Sequence, residues 1–174
     1  MEEIKLRNAT LDDAPRLVEI YSYYVENTAT SLEYGTPSIE KFKMRMNRTK
    51  KHYPYLVAEI DGKIIGYAYA SMMNWREGCR FAAELTIYLD KNFRRQGAGK
   101  KLYGELEKIL REQGIKNLYA GVICPDVEDE YANFDSFNFH QHLGFKLCGK
   151  FQNMGYKFNR WYNVIWMEKT CQAF

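Results

Sequence analysis

No stretch of this 174-residue chain comes near the roughly 20 consecutive apolar residues that a membrane-spanning helix needs. The opening residues, Met1 to Lys5, are charged and carry no apolar signal region, so the cytoplasm is the expected compartment. Only four cysteines are present, Cys79, Cys124, Cys148 and Cys171. They lie far apart with no Cys-x-x-Cys spacing, which argues against a zinc site or a disulfide framework and suits a reducing environment. Excess charge is also missing. A net +3 is too mild to imply nucleic acid, so the basic residues matter locally. No internal repeat, low-complexity tract or linker interrupts the chain. It reads as one domain, 1–174, long enough to bury a full core.

What is present centres on Glu84 to Leu110. Leu85, Ile87 and Leu89 alternate with Glu84, Thr86 and Tyr88, a period of two that predicts a strand. A polar link, Asp90 to Asn92, leads to Arg94, Arg95, Gly97 and Gly99. Leu102, Leu106, Ile109 and Leu110 then mark one face of a helix that ends at Gly114. A strand, a basic glycine turn and a helix suit a phosphate. The first helical amides lack internal partners, and the helix dipole favours an anion there. Gly97 and Gly99 present no side chain to obstruct it. Arg94, Arg95, Lys100 and Lys101 crowd positive charge at an end where cations are otherwise unfavourable. A tight turn with a solvated basic face is the plainer alternative. The motif is neither a dinucleotide fingerprint, since Leu102 replaces the third glycine, nor a Walker loop, since Lys101 follows Lys100.

Around this centre the pattern predicts a strand at 4–9 and a helix through Leu17, Ile20, Tyr21, Tyr24 and Val25, with Thr10 and Asp13 as a capping pair. A polar loop, 27–37, precedes a second helix after Ser38 with Ile39, Phe42 and Met46 inward. Tyr55–Ile60 and Ile64–Ala70 form a hairpin turning at Asp61-Gly62. A loop with Trp75 and Arg76 leads to the central strand. Leu118–Cys124 is a further strand, followed by an acidic connector with Asp126, Glu128, Asp129 and Glu130. A short helix over Asn133–His142 and strands at 145–151 and 161–168 complete the chain. The order β, α, α, β, β, β, α, β, α, β, β predicts an α/β fold with a mixed sheet and helices on both faces.

Arg94, Gly97 and Gly99 fill the spacing of the pyrophosphate loop of the GNAT acetyltransferases, and the element order resembles that fold. Pro54–Glu59 with Asp61-Gly62, Gly66–Ala70, His140, Leu143-Gly144-Phe145 and Gly155-Tyr156-Lys157-Phe158-Asn159-Arg160-Trp161 resemble the phosphinothricin acetyltransferase branch. The resemblance covers nearly the whole chain. It implies acetyl coenzyme A as co-substrate, no metal, and a small-molecule amine as acceptor. It implies cofactor contacts from Ile87, Tyr88, Leu89, Arg94, Arg95, Gln96, Gly97, Ala98, Gly99, Lys100, Asn133 and Ser136. Ile87 and Leu89 would contribute backbone groups to pantetheine. It further implies Glu84 as catalytic base, His140 as catalytic acid, and possible homodimerisation.

The chemistry is consistent with these residue types. An alkyl amine with a pKa near 10 is neutral in about one molecule per thousand at neutral pH, so a carboxylate must remove its proton. The strand from Glu84 to the phosphate turn spans about 17 Å, compatible with the distance between a thioester and its pyrophosphate. The alternative for Glu84 is an ion pair with a neighbour such as Arg80. A histidine near pKa 6.5 can return a proton to the departing thiolate, although a helix histidine is also a common cap or core residue. Asn133 can simply be a helix N-cap. Arg76 resembles the branch's carboxylate-binding arginine, and Trp75 and Leu32 stand in substrate-facing loops that depart from the branch, so the acceptor's identity stays open. Two further readings remain: a coenzyme A-binding sensor without turnover, and an acetyltransferase for peptide or protein amines.

Overall fold

The computed structural model describes residues 3–171. Seven strands form one sheet: β1 Lys5–Asn8, β2 Tyr55–Ile60, β3 Lys63–Met72, β4 Ala82–Leu89, β5 Asn117–Ile123, β6 Lys146–Lys157 and β7 Arg160–Thr170. Their spatial order is β1-β2-β3-β4-β5-β7-β6, and every adjacent pair is antiparallel except β4 with β5. The helices are α1 Ala14–Asn27, α2 Ile39–Lys50, α3 Ala98–Glu112 and α4 Asp135–His142.

Two apolar layers flank the sheet. On one face Leu17, Ile20, Tyr24 and Val25 of α1 and Phe42 and Met46 of α2 meet Tyr55, Val57 and Tyr67. On the other, Leu102, Leu106 and Leu110 form a fully buried stripe of α3 against Leu56, Ile65, Ala68 and Leu85. Ile39 shares the inward stripe of α2 but is its first residue, and it is left 40% exposed. Ser38 caps α2 by accepting the Lys41 amide, and Pro15 occupies the first turn of α1, where its missing N–H costs nothing.

The β2–β3 hairpin turns at Asp61 (φ 49°) and Gly62 (φ 76°), as the sequence predicts. The last hairpin differs from expectation. β6 and β7 are longer than 145–151 and 161–168, and they meet at Phe158 (φ 51°) and Asn159 (φ 59°). An irregularity between Phe151 and Gly155, with Asn153 at φ 50°, breaks the alternation that the expected strand boundary relied on.

Candidate active site

The parallel pair β4·β5 is bonded at only three positions: Ala82–Asn117, Ala83–Leu118 and Glu84–Tyr119. Beyond Glu84 the strands part, while β4 stays paired with β3 as far as Leu89. Residues 85–89 therefore turn a free backbone edge into a wedge, which an extended, amide-bearing ligand can join as an added strand. Ile87 and Leu89 pack toward α3, and Tyr88 packs toward α1. The Leu89 carbonyl already accepts the Tyr24 hydroxyl, so one of the backbone groups expected to meet pantetheine is engaged within the chain.

At the far end of β4 the chain turns into α3. Arg95 (φ 62°) and Gly97 (φ 89°) both hold left-handed backbone, and the first helical amide with an acceptor is that of Lys101, bonded to the Gly97 carbonyl at 3.1 Å. The amides of Ala98, Gly99 and Lys100 point out of the helix end. Open space surrounds the position a side chain would take at Gly97. At Gly99 a Cβ would lie 2.8 Å from the Phe139 ring, so that glycine makes room for α4 and not for an anion. The cations divide as well. Arg94 lies 5.3 Å over the ring of Tyr24, Arg95 pairs with Asp135 at 3.2 Å, and Lys101 reaches the Ile4 carbonyl. Gln96 and Lys100 are exposed, and Lys100 has no ion-pair partner among the described residues. A pyrophosphate fits this turn through main-chain amides, with Lys100 as the available charge.

Glu84 is half-buried on the α1/α2 face of β4. Burial alone pushes its carboxyl above the usual range, and it has neither hydrogen bond nor ion pair among the described residues. Arg80, its expected alternative partner, instead bonds the Glu77 carbonyl and lies over Phe81. His140 is 3% exposed, on the opposite face. Its Nδ1 lies 2.7 Å from the Ser136 carbonyl, which can only accept, so Nδ1 carries the proton. Nε2 then accepts from the Tyr103 hydroxyl at 3.0 Å. Burial lowers the histidine's pKa, so it rests neutral, and its one free lone pair is turned to Tyr103 and not to solvent. Sequence spacing gave no hint of Tyr103, which comes from α3, 37 residues away.

The remaining expected residues are dispersed. Asn133 precedes α4, where its side-chain oxygen accepts the Asp135 amide at 3.0 Å. The assigned helix start is two residues later than expected. Ser136 lies in the first turn and offers its carbonyl to His140. Trp75 is 77% exposed and carries the Arg76 guanidinium 4.8 Å above its ring, both on the β3–β4 loop. Leu32 packs on β6, so closely that a Cβ at Gly155 would lie 2.5 Å from it. The acidic connector is consumed internally: Asp126 pairs with Lys150, Asp129 and Glu130 pair with Arg160, and Glu128 accepts the Phe134 amide. It offers no free acidic wall to a cationic acceptor.

A cavity of about 200 Å³ that sequence reasoning missed opens beneath α2, on the same face as Glu84. Ser71, directly opposite Glu84 in the β3·β4 register, lies on its edge. The available signal was the tyrosine alternation in β2, β3 and β4 together with Arg45 and Arg48 one turn apart on α2.

Comparison with known proteins agrees with this geometry. A family model described as an acetyltransferase (GNAT) domain matches residues 6–166. The chain is 32% identical to an L-methionine sulfoximine/L-methionine sulfone acetyltransferase of Pseudomonas aeruginosa over 94% of its own length and 92% of the relative's. It superposes with a TM-score of 0.87, at 32% identity, on a phosphinothricin acetyltransferase from Sinorhizobium meliloti solved with acetyl coenzyme A, covering 96% of this chain and 88% of that one. A ribosomal-protein-alanine N-acetyltransferase structure from Brucella melitensis matches at TM-score 0.85 and 34% identity over 95% of this chain and 99% of that one. The chain belongs to the GNAT acetyltransferase family, and it is an acetyl coenzyme A-dependent N-acetyltransferase. Among the described residues no group of three His, Cys, Asp or Glu could hold a metal, and no helix is long and apolar enough to cross a membrane.

Proposed function

We propose that the chain acetylates the primary amine of a small amino acid or amino-acid analogue, with Glu84 as the base. The observation that carries this reading is the Glu84 carboxylate: half-buried, raised in pKa and unpaired, beside the wedge between β4 and β5. A structural carboxylate in that setting would be expected to have a partner. Bound acetyl coenzyme A supplies an activated acetyl thioester. Glu84 takes a proton from the incoming ammonium, directly or through water, and so exposes the nitrogen lone pair. A raised pKa brings the carboxylate's basicity closer to that of the amine. His140 is neutral and its Nε2 accepts from the Tyr103 hydroxyl, so it positions that phenol, and the departing thiolate takes its proton from water. The amides of the turn at Gly97 and the free edge of β4 hold the coenzyme.

The unpaired base also speaks against a coenzyme A sensor without turnover. Spectrophotometric thiol release from acetyl coenzyme A, run with a panel of free amino acids and with a peptide bearing an N-terminal alanine, is the test. Release with the free amino acids is expected. Turnover confined to the peptide would overturn the reading.

We also infer that the chain pairs with a second copy through the terminal hairpin. Its edge strand β6 exposes Leu147 (56%), Phe151 (52%) and Met154 (58%), and Trp161 on β7 is 62% exposed. A dimeric mass in light scattering is expected, and a monomeric mass at micromolar concentration would remove this inference. From the wide spacing of the four cysteines we infer a reducing, cytoplasmic setting.

A further inference from the structure

The segment that joins the free edge of β4 to the Gly97 turn is held down by α1. Between Leu89 and Ala98 the chain has no regular structure except a single 3-10 turn, Lys91–Phe93. Asp90 opens the segment. Its amide donates to the Ile65 carbonyl at 2.8 Å, and its buried carboxylate accepts the Asn92 amide at 2.9 Å and the Arg16 guanidinium. Arg16 also donates through Nε to the Ile64 carbonyl at 3.1 Å, so α1 and β3 grip the same point. About two turns further along α1, Tyr23 and Tyr24 take the charges beyond it. Lys91 and Arg94 lie 5.0 and 5.5 Å over the Tyr23 ring, and Arg94 lies 5.3 Å over that of Tyr24.

Tyr24 touches both ends of this segment. The Asp90 amide bonds β3, so the alternation of an antiparallel ladder turns the backbone groups of Leu85, Ile87 and Leu89 the other way, into the wedge. The Tyr24 hydroxyl donates to the Leu89 carbonyl at 2.5 Å and so fills the last acceptor on that edge. Its ring carries Arg94, which leads into the Gly97 turn. The phenol itself is well fixed. It is 9% exposed and lies edge-on to Tyr88 at 5.0 Å and to Tyr23 at 5.4 Å. Burial raises its pKa, so it stays a donor at neutral pH.

We propose that Tyr24 is a positioning residue for acetyl coenzyme A, and that it fixes the spacing between the strand edge that pairs with the pantetheine amides and the turn that holds the diphosphate. The coenzyme is one ligand with two grips. Joining two grips strengthens binding only when both engage at once, and the gain falls as the geometry between their sites loosens. The intervening segment has little structure of its own to keep that geometry. Tyr24 supplies it, because one side chain holds the final carbonyl of the edge and the arginine that enters the turn. With the Leu89 carbonyl taken, the Ile87 backbone groups and the Leu89 amide remain for the ligand. This rests on the placement of the coenzyme given above and deepens it.

The test measures binding of three ligands: coenzyme A, S-acetylpantetheine, which carries only the amides, and ADP, which carries only the diphosphate. Tyr24→Phe keeps the ring under Arg94 and deletes the donor. Its dissociation constant for coenzyme A is expected to rise about five- to tenfold, while those for the two halves change by less than about twofold. The KM for acetyl coenzyme A should rise by the same factor and the KM for the acceptor amine should not. Arg16→Gln loosens the same segment at Asp90 and is expected to show the same pattern, which covers the case of a Tyr24 variant that does not fold. Weakening of either half as large as that of coenzyme A would show a merely structural residue and overturn the proposal. An unchanged constant for coenzyme A would overturn it too. In the parent protein coenzyme A is expected to displace both halves. Halves that bind without being displaced would overturn the coenzyme placement and this proposal with it. None of these binding constants involves the acceptor, so the amino-acid reading stands or falls separately by thiol release.

Discussion

Glu84→Gln is expected to lower kcat by about 10²- to 10⁴-fold, the usual worth of a positioned general base, while the dissociation constant for acetyl coenzyme A stays the same. The amide has nearly the shape of the carboxylate, and it lies at the start of the wedge, away from the Gly97 turn that would hold the phosphates. The same substitution should stabilise the fold at neutral pH. Burial raises the Glu84 pKa in the folded chain above its value in the unfolded one. Folded protein therefore binds that proton more tightly, and stability is lost as pH rises from the ordinary carboxylate range through the folded pKa. Gln carries no such cost. The gap in unfolding temperature between variant and parent should thus open as pH rises past the ordinary carboxylate range, be complete above the folded pKa, and close in acid. Activity runs the other way. The acid limb of kcat/KM should lie above the reference carboxylate value of about 4.3 and should vanish in the variant. Unchanged turnover, or a variant less stable than its parent at pH 7, would each reject the picture of an unpaired, desolvated base.

How much of this was legible in the residues depended on distance along the chain. The alternation from Glu84 to Leu89, the turn at Gly97 and the stripe Leu102–Leu106–Leu110 are local patterns, and they appear where the periodicity puts them, with the strand beginning two residues earlier at Ala82. The Asp61-Gly62 turn is equally local, because its dipeptide prescribes its backbone. The wedge is not local. It exists because β5 stops pairing with β4 after Tyr119, which no pattern within either strand encodes. Tyr103 and His140 meet across 37 residues, so a histidine that looked poised to face substrate turned out to face a phenol. Gly99 was legible as small but not as to why, since Phe139 arrives from a different helix. Leu32 was placed in the right loop, but Gly155 draws its side chain onto β6. The cavity under α2 needed the register of three strands and the phase of a helix together.

Lys157→Met is expected to lower stability by about 2–4 kcal/mol, the largest effect for a residue outside the reacting centre. Lys157 is 3% exposed at the end of β6, and its ammonium donates to three carbonyls: Val25 at 2.6 Å, Thr28 at 2.8 Å and Ser31 at 2.6 Å. Three donors meet three acceptors, so the charge is satisfied although no carboxylate among the described residues pairs with it. Val25 and Thr28 lie at the end of α1, where helix carbonyls lack internal partners, and Ser31 lies in the loop beyond. One side chain therefore closes a helix terminus and fastens that loop to the last hairpin, next to the contact of Leu32 with Gly155 and the Tyr34 hydroxyl's bond to the Tyr156 carbonyl. Methionine fills a similar volume and removes all three donors, leaving the carbonyls to find water or stay orphaned. For a chain of this size the loss corresponds to roughly 5–10 °C in unfolding temperature. Activity should suffer below that temperature as well. The fastened loop carries Glu33, which holds Arg45 on the wall of the cavity that reaches Ser71, opposite Glu84, so a loosened loop should raise KM for the acceptor more than for acetyl coenzyme A. An unfolding temperature within about 2 °C of the parent, below the change that 1 kcal/mol brings in a chain this long, would show that the three carbonyls do not depend on this lysine.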